Sequence, residues 1–303
     1  MKQYLFLFMV TFWGTAFAQQ GKVSQKTAKE LTAEELYEKA FDYVYGRNGV
    51  IMDSIKAVEL FEQSANMGFA KAQVEIGCRE KSDSAALKWL LKAAAQDCHY
   101  AMPPLFAIYY NGYNDVSKNI EEAYKWLKKG AELGNPRCQW LWGNTYHFGE
   151  NGFPVNVNQA IYWLEKAADQ NQVEAAMELA GMYDEGKLVK REIQKANELY
   201  RKAAELGNPD GAYNYAYAYE VGDGVDIDKD TAFKWMKKAA ELGHISAQLE
   251  LAYFFATGYG CEKNETAARY WWDLVSKNEK ASEEDRKGAQ YNISLLDQHI
   301  EIK

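Results

Sequence analysis

The hexapeptide AELGNP occupies residues 131–136 and again residues 204–209, and the near copy AELGHI occupies residues 240–245. The two identical copies begin 73 residues apart, and the third begins 36 residues after the second. Because 73 is close to twice 36, this recurrence indicates a chain built from repeats of about 36 residues. A period of that length is typical of stacked helical repeats.

Glycines and alanines share this period. Five glycines that close aromatic-rich runs follow one another at steps of 37, 37, 36 and 36 residues: Gly112, Gly149, Gly186, Gly222 and Gly258. An alanine follows each of them after 10 or 11 residues, and Gly46 and Ala57 fit the same rule. The register is therefore kept along most of the chain, as a repeat architecture requires.

Two helical patterns fill each period. Residues 232–243 show the second, A-x-x-W-x-x-K-A-A-x-x-G, in which apolar residues at i, i+3, i+4, i+7 and i+8 define one face of an α-helix. Residues 175–186 show the first, A-x-x-x-L-G-x-x-Y-x-x-G, with alanine in place of the first glycine. Each repeat is therefore predicted to be two antiparallel helices joined by a loop such as residues 221–231.

The hexapeptide AELGNP is predicted to end one hairpin and begin the next. Gly134 and Gly207 suit the left-handed position that caps the second helix of a repeat. Asn135 and Asn208 are the predicted N-caps of the following first helix. The proline after each asparagine fits the first turn of that helix, where no backbone N–H is needed.

The predicted fold is all-α, an α/α solenoid of about seven helix-turn-helix repeats. The second repeat is about eight residues short, between Gly77 and Ala86. A first-helix pattern recurs at residues 288–296 and predicts a capping helix within residues 279–303, because a solenoid must cover its last apolar face. The predicted repeats, within a solenoid at 35–278, are residues 35–68, 70–97, 99–134, 136–171, 173–207, 209–243 and 245–278.

These columns resemble the Sel1-like repeat family, which is related to the tetratricopeptide repeats. The match recurs about six times in register and covers roughly residues 35–299. Gly222-Asp223-Gly224-Val225 reproduces the G-x-G-V loop of the family, whereas Gly258-Tyr259-Gly260-Cys261 keeps only the glycines. The resemblance implies a right-handed solenoid whose concave face binds other proteins. A cysteine-rich branch, associated with binding or hydrolysing β-lactams, does not fit because this chain lacks two cysteines per repeat.

The first residues, MKQYLFLFMVTFWGTAFAQQ, have the layout of a cleavable export signal. Lys2 supplies a positive charge, Tyr4–Trp13 an apolar core, and Ala16-Phe17-Ala18 a cleavage site. The apolar run is too short to span a bilayer as a helix. We expect a signal peptide at 1–18, a disordered linker at 19–32, no membrane span, and a periplasmic or secreted protein.

Charge and chemistry exclude several classes of function. The chain has 35 basic and 43 acidic residues and a net charge of −8, which argues against nucleic acid as a partner. Its histidines form neither HxxxH nor HExxH, and no GxSxG occurs. We expect no catalytic residue, no metal site and no cofactor. The cysteines lack CxxC spacing and are predicted to be packing residues or free thiols: Cys78, Cys98, Cys138 and Cys261.

Two local motif matches are interpreted as structural. Residues 181–187 fit most of the phosphate-loop pattern but have Leu188 where Ser or Thr is required, and the repeat places Gly186 at a helix C-cap. Residues 226–230 resemble the start of a calcium loop, but its required glycine is Thr231. Asp228 or Asp230 is instead predicted to be a helix N-cap.

Candidate binding residues are the aromatic and polar side chains of the first helices that lie outside the core columns. Positions two and six after the first alanine of the first-helix pattern form an i, i+4 stripe beside the core stripe. In tetratricopeptide-like solenoids these positions line the concave groove; the alternative is that they pack against the adjacent repeat as ordinary core. The candidates, including neighbouring positions, are Arg137, Trp140, Asn144, His147, Tyr213, Tyr217 and Tyr253.

The sequence thus favours an exported, non-enzymatic interaction scaffold that binds an unidentified partner protein or peptide in this groove. Exposed Trp, Tyr and Arg are typical of binding hot spots. The alternative is a binder of small ligands, such as a cell-wall glycan or a β-lactam, with or without hydrolase activity, because aromatic faces stack on sugar rings. A third, purely structural role is also compatible with the repeats.

Overall fold

A computed structural model describes residues 31–113 and 115–298, and within those residues it is helical and contains no β-strand. A short 3-10 turn at His99–Ala101 precedes the fifth helix. The predicted signal peptide and residues 19–30 of the predicted linker lie outside the described residues. The α-helices are α1 (Ala33–Tyr45), α2 (Ser54–Asn66), α3 (Ala70–Arg79), α4 (Asp83–Ala94), α5 (Met102–Asn111), α6 (Ile120–Glu132), α7 (Pro136–Phe148), α8 (Val157–Asp169), α9 (Val173–Glu185), α10 (Ile193–Glu205), α11 (Pro209–Val221), α12 (Lys229–Glu241), α13 (Ile245–Thr257), α14 (Glu265–Ser276) and α15 (Glu283–Asp297).

Helices that follow one another in the chain pack together in pairs. The odd-numbered helices α1 to α13 are the first helices of seven hairpins, and the even-numbered helices are their partners. Helix α15 packs against α14. The predicted arrangement of hairpins plus a C-terminal helix is confirmed. Thr32, placed in the linker by the sequence prediction, is instead the N-cap of α1 and exchanges hydrogen bonds with Glu35 in a capping box.

The described residues form two compact units, one that ends at Cys138 and one that begins at Gln139. The first unit contains a core cluster built from α1, α2 and α3, with Phe61 and Ala40 fully buried. The second unit contains three successive clusters, centred on Leu179, Leu251 and Trp272. Each cluster draws its side chains from neighbouring repeats, as expected where stability comes from nearest-neighbour contacts.

The prediction that AELGNP ends one helix and begins the next is confirmed by its backbone angles and hydrogen bonds. Gly134 and Gly207 adopt φ values of 85° and 89°, which side chains rarely tolerate. The side-chain oxygen of Asn135 accepts a hydrogen bond of 3.0 Å from the Cys138 N–H. The Asn208 oxygen accepts one of 2.7 Å from the Gly211 N–H, so both asparagines are N-caps.

The second repeat is short in both its first helix and its loop. Helix α3 has 10 residues, whereas most of the other first helices have 13, and only residues 80–82 separate it from α4. Asp115, from the next repeat, accepts hydrogen bonds from the Ser82 hydroxyl at 2.7 Å and from the Asp83 N–H at 3.1 Å. Hydrogen bonds from Ser84 and Ser82 lower the pKa of Asp115. The bonds from Ser82 and Asp83 secure the start of α4.

The second glycine of the G-x-G loop is required by a close approach between repeats. A Cβ atom at Gly260 would lie 2.1 Å from the carbonyl oxygen of Lys229, which begins α12. A Cβ atom at Gly224 would lie 2.7 Å from the Ile193 side chain at the start of α10. Each loop therefore rests on the second helix of the preceding repeat, and glycine permits that contact.

The C-terminal helix begins earlier than its apolar pattern suggests. Helix α15 includes the acidic run from Glu283, and Ser282 caps it by accepting a hydrogen bond of 3.0 Å from the Asp285 N–H. Acidic residues in a first turn are favoured by the helix dipole, which explains the extension into a polar segment. Ala289 and Leu296 are buried in the same cluster as Trp272, so the helix covers the apolar side of the last hairpin.

Candidate functional site

The predicted stripe lies on the exposed side of the first helices. In the second unit it contains eight residues, which we call the first-helix face, and none of them is buried. The adjacent core columns, such as Ala212 and Leu251, are fully buried. Two of the eight, Tyr217 and Tyr253, are exposed, whereas Trp140, Met177, Tyr213 and Leu249 are partly buried and pack against core clusters. Its residues are Trp140 and Asn144 on α7, Met177 and Gly181 on α9, Tyr213 and Tyr217 on α11, and Leu249 and Tyr253 on α13.

Side chains from neighbouring first helices meet along this face. The Nδ1 atom of His147, on α7, lies 2.8 Å from Oε1 of Glu178 on α9. The ring of Tyr213, on α11, stacks on His244, the N-cap of α13, with centroids 4.4 Å apart. Successive first helices thus stand side by side at these points, so their exposed residues form a wall that a ligand could contact across several repeats.

The tyrosines are its most accessible large side chains. Tyr217 is 49% exposed and Tyr253 is 36% exposed, although both are bulky and apolar in part. Tyr213 stacks against Tyr217 with centroids 6.5 Å apart and is itself half-buried, which raises the pKa of its phenol. Rigid, amphipathic rings of this kind are well suited to protein contacts.

The α7 end of the face is more deeply packed. Trp140 lies against the core cluster that contains Leu164 and Leu179, and its indole N–H is buried. The side-chain oxygen of Asn144, one turn later, is also buried, and neither atom has a hydrogen-bond partner among the described residues. Trp140 therefore packs beneath the first-helix face and contributes little exposed surface to it.

Gly181 leaves an opening in the middle of the face. It occupies the column that holds Asn144 on α7 and Tyr217 on α11. A Cβ atom at this position would meet nothing within 4 Å. The glycine lies inside α9 and Gly186 forms its left-handed C-cap, which confirms that this segment is not a phosphate loop.

Two glutamates lie on the same first helices as the tyrosines. Glu220 on α11 and Glu250 on α13 are both partly buried, which raises the pKa of each carboxyl group. The charge of Glu250 raises the pKa of Glu220 further. The sequence analysis did not select Glu250 or Glu178, although both follow the first alanine of the first-helix pattern by three residues and the i+3 spacing could have indicated them.

Arg137 lies in the first unit, in the first turn of α7, and is exposed. Its side chain is therefore accessible, and its predicted binding role stays a prediction. The other six candidates lie in the second unit. His147 is tied to Glu178, whereas the remaining five are the members of the face described above.

The structure also accounts for the other motif residues. Asp228 is the N-cap of α12 and accepts hydrogen bonds from the Asp230 and Thr231 N–H groups, both at 3.1 Å, as predicted. All four cysteines are free thiols, and Cys138 is buried against Gly130. Residues 31–113 and 115–298 contain no group of three or more potential metal-ligating side chains. No helix among them is long and apolar enough to cross a bilayer.

A fold of stacked helical hairpins with an exposed wall of first helices defines the class of all-α repeat solenoids. The Sel1 repeat model matches seven segments that together cover most of the chain, and the chain belongs to the Sel1 repeat family. Proteins of this family generally act as non-enzymatic scaffolds for protein–protein interactions. The matched segments are residues 43–69, 75–98, 105–135, 136–172, 173–208, 209–244 and 245–274.

Solved structures show the same fold. A protective antigen of uropathogenic Escherichia coli that displays an SLR fold is 28% identical, with a TM-score of 0.72 over 88% of this chain. This chain spans 57% of the length of that protein. A Sel1 repeat protein from Oxalobacter formigenes is 24% identical, with a TM-score of 0.66 over 87% of this chain and 76% of its own. A search of curated proteins gave no match.

Proposed function

We propose that this protein is an exported, non-enzymatic scaffold that binds a polypeptide segment of a partner protein along its first-helix face. The observation that carries the proposal is the exposure of Tyr217 and Tyr253 at matching positions of α11 and α13. Their neighbours in the core columns are buried, so the exposure is confined to one side of these helices.

The arrangement favours a polypeptide over a small ligand. The aromatic residues are spread along consecutive helices, with Trp140 on α7, Tyr213 and Tyr217 on α11, and Tyr253 on α13. Such a row suits an elongated ligand that contacts several repeats at once. Aromatic hot spots supported by packed neighbours are also what protein interfaces use.

Export is supported by the sequence alone. The positive charge, apolar core and small-residue cleavage site within residues 1–18 form a secretory signal. We propose a periplasmic or secreted protein whose mature chain begins at Gln19. Intact-mass measurement of the protein recovered from outside the cytoplasm tests this, and a mass that includes residues 1–18 would contradict it.

Peptide display tests the binding proposal. A random 12-residue library is selected on the wild-type protein, and the selected peptides are then tested on two matched variants. Y217A/Y253A removes the exposed tyrosines of the face. Y162A/Y270A removes tyrosines of similar exposure, 46% and 61%, from the second helices α8 and α14.

The proposal predicts that the selected peptides lose binding to Y217A/Y253A and retain it with Y162A/Y270A. Trp140 stays unchanged in both variants because it packs against the core. Circular dichroism verifies that each variant is folded. If no selected peptide depends on Tyr217 and Tyr253, this face is not the binding site and the proposal fails.

A further inference from the structure

Two loops that join a first helix to a second helix carry the same exposed Asn-Gly turn. The loop after α1 contains Asn48-Gly49 and the loop after α7 contains Asn151-Gly152, and all four residues are exposed. Both asparagines have a φ of 52°, and the glycines have φ values of 81° and 87°. In each loop the residue after the glycine donates its N–H to the carbonyl of the residue before the asparagine, at 3.1 Å in the first loop and 3.0 Å in the second. Positive φ at both central residues defines a type I′ turn, in which Asn-Gly is a preferred pair.

The backbone nitrogens of the two glycines are available for reaction. Neither Gly49 nor Gly152 donates its N–H to any group within residues 31–113 and 115–298. A Cβ atom placed on either glycine would meet nothing within 4 Å. Each nitrogen therefore lies in an open part of its loop, next to the side-chain amide of the asparagine that precedes it.

An asparagine followed by glycine can lose its side-chain amide without an enzyme. The glycine nitrogen attacks Cγ of the asparagine and closes a five-membered succinimide ring. The side-chain nitrogen leaves as ammonia and takes up, through solvent, the proton that the glycine N–H gives up. Water then opens the ring at either carbonyl, which yields aspartate or isoaspartate. Glycine favours the attack because it has no Cβ atom to obstruct it and because its backbone rotates freely.

A third Asn-Gly pair in the chain is held by hydrogen bonds. Asn111 is the last residue of α5, and its side-chain nitrogen donates to the Ala107 carbonyl at 2.8 Å. The Gly112 N–H donates to the Ile108 carbonyl at 3.0 Å. Both reacting groups are therefore engaged, and the end of α5 must open before a ring can close. The same dipeptide thus occurs in two structural states within one protein.

We propose that Asn48 and Asn151 are sites of spontaneous deamidation in the folded protein, whereas Asn111 is protected. This modification is independent of the proposed binding function. Each event replaces a neutral amide by a carboxylate. At Asn48 it also removes a contact, because the side-chain nitrogen donates to Oδ1 of Asp42 at 2.9 Å. A carboxylate at this position would face another carboxylate, so the loop after α1 would lose that hydrogen bond and gain a repulsion.

Oxygen-isotope labelling locates the reaction along the chain. The folded wild type is incubated at pH 8 and 37 °C in water enriched in oxygen-18, digested with pepsin at acidic pH, and mapped by tandem mass spectrometry. Water that opens a succinimide leaves a heavy oxygen in the product, so only events during the incubation are counted. A second sample is incubated in guanidinium chloride, where the unfolded chain gives the rate of each Asn-Gly pair without the fold.

The three asparagines should react at similar rates in guanidinium chloride, because they share the same following residue. In the folded protein we expect Asn48 and Asn151 to react about tenfold faster than Asn111 or more, since Asn111 reacts only after local opening of its helix end. Equal rates at the three positions of the folded protein would overturn the inference. So would a folded protein in which neither Asn48 nor Asn151 acquires the heavy oxygen.

Discussion

The imidazole of His244 lies parallel to the phenol ring of Tyr213, with centroids 4.4 Å apart and planes 13° from parallel. Its Nδ1 atom accepts a hydrogen bond of 3.1 Å from the Ala247 N–H, and Nε2 lies 3.4 Å from Oδ1 of Asp210. His244 replaces the asparagine of AELGN. It therefore both starts α13 and supports a tyrosine of the first-helix face.

This cap predicts a pH-dependent stability. Burial lowers the pKa of His244 below its ordinary 6.5, although Asp210 opposes the shift, and protonation of Nδ1 would remove the cap. The unfolded chain binds the proton more readily, so the stability that His244 contributes is present above about pH 6.5 and is lost as the pH falls below it. The groups that face the ring are Asp210, Tyr213 and the Ala247 N–H.

The variant H244N, which restores the asparagine cap, isolates this effect. Between pH 7.5 and pH 5 the melting temperature of the wild type should fall relative to that of H244N. Differential scanning fluorimetry across this range checks the expectation. A constant difference between the two proteins would show that the protonation of His244 is not linked to folding.

Asn208 should contribute a normal helix cap. Asn208→Ala removes the 2.7 Å hydrogen bond from the Gly211 N–H and should lower the free energy of unfolding by about 1 kcal/mol. Asn208→Ser retains a capping oxygen and should lose much less. Urea denaturation of the two variants checks the ranking, and equal stabilities would contradict the capping role.

Two glycines should respond in opposite ways to alanine. Gly181→Ala adds a methyl group to open space inside α9 and should stabilise the protein by about 0.5–1 kcal/mol, the difference in helix propensity. Gly260→Ala should destabilise it by more than about 1 kcal/mol, because its φ is 64° and the new atom would overlap the Lys229 carbonyl. Denaturation curves for both variants test this, and a stable Gly260→Ala would be inconsistent with the loop contact.

The partial burial of Glu220 and Glu250 should cost stability at neutral pH. Because the folded pKa values of Glu220 and Glu250 are raised, the folded state binds more protons, and stability falls as the pH rises above the ordinary carboxyl range. The groups facing them are Tyr213 and Tyr259, together with the other glutamate of the pair. E220Q/E250Q should therefore melt at a higher temperature than the wild type at pH 7, by about 1–3 °C.

Glutamates kept for packing alone would give the reverse result for stability, a lower melting temperature. Scanning fluorimetry at pH 7 and pH 4 checks both the sign and its disappearance when the carboxyl groups are protonated. A lower melting temperature at pH 7 would contradict the electrostatic account.

The fold could be predicted from the sequence because its determinants are local and repeated. Gly134, Asn135 and the proline that follows specify a helix end and a helix start within a few residues, and the structure forms both. The start of α15 was harder to predict, because its acidic first turn carries no apolar pattern. Capping by Ser282 and the helix dipole decide it instead.

The site was only partly predictable. The column spacing placed Tyr217 and Tyr253 on one exposed wall, since helical geometry fixes which residues share a face. The packing of Trp140 against the core depends on how neighbouring helices pack. Contacts of that kind arise between repeats and are not encoded in the period of any one helix.

The central claim is that the first-helix face of the second unit binds a polypeptide segment. Isothermal titration of one selected peptide against the wild type, Y217A/Y253A and Y162A/Y270A tests it most directly. Two hot-spot tyrosines contribute roughly 1 kcal/mol or more each, so the account predicts a loss of at least tenfold for Y217A/Y253A and less than twofold for Y162A/Y270A. Equal affinities for all three proteins would contradict it.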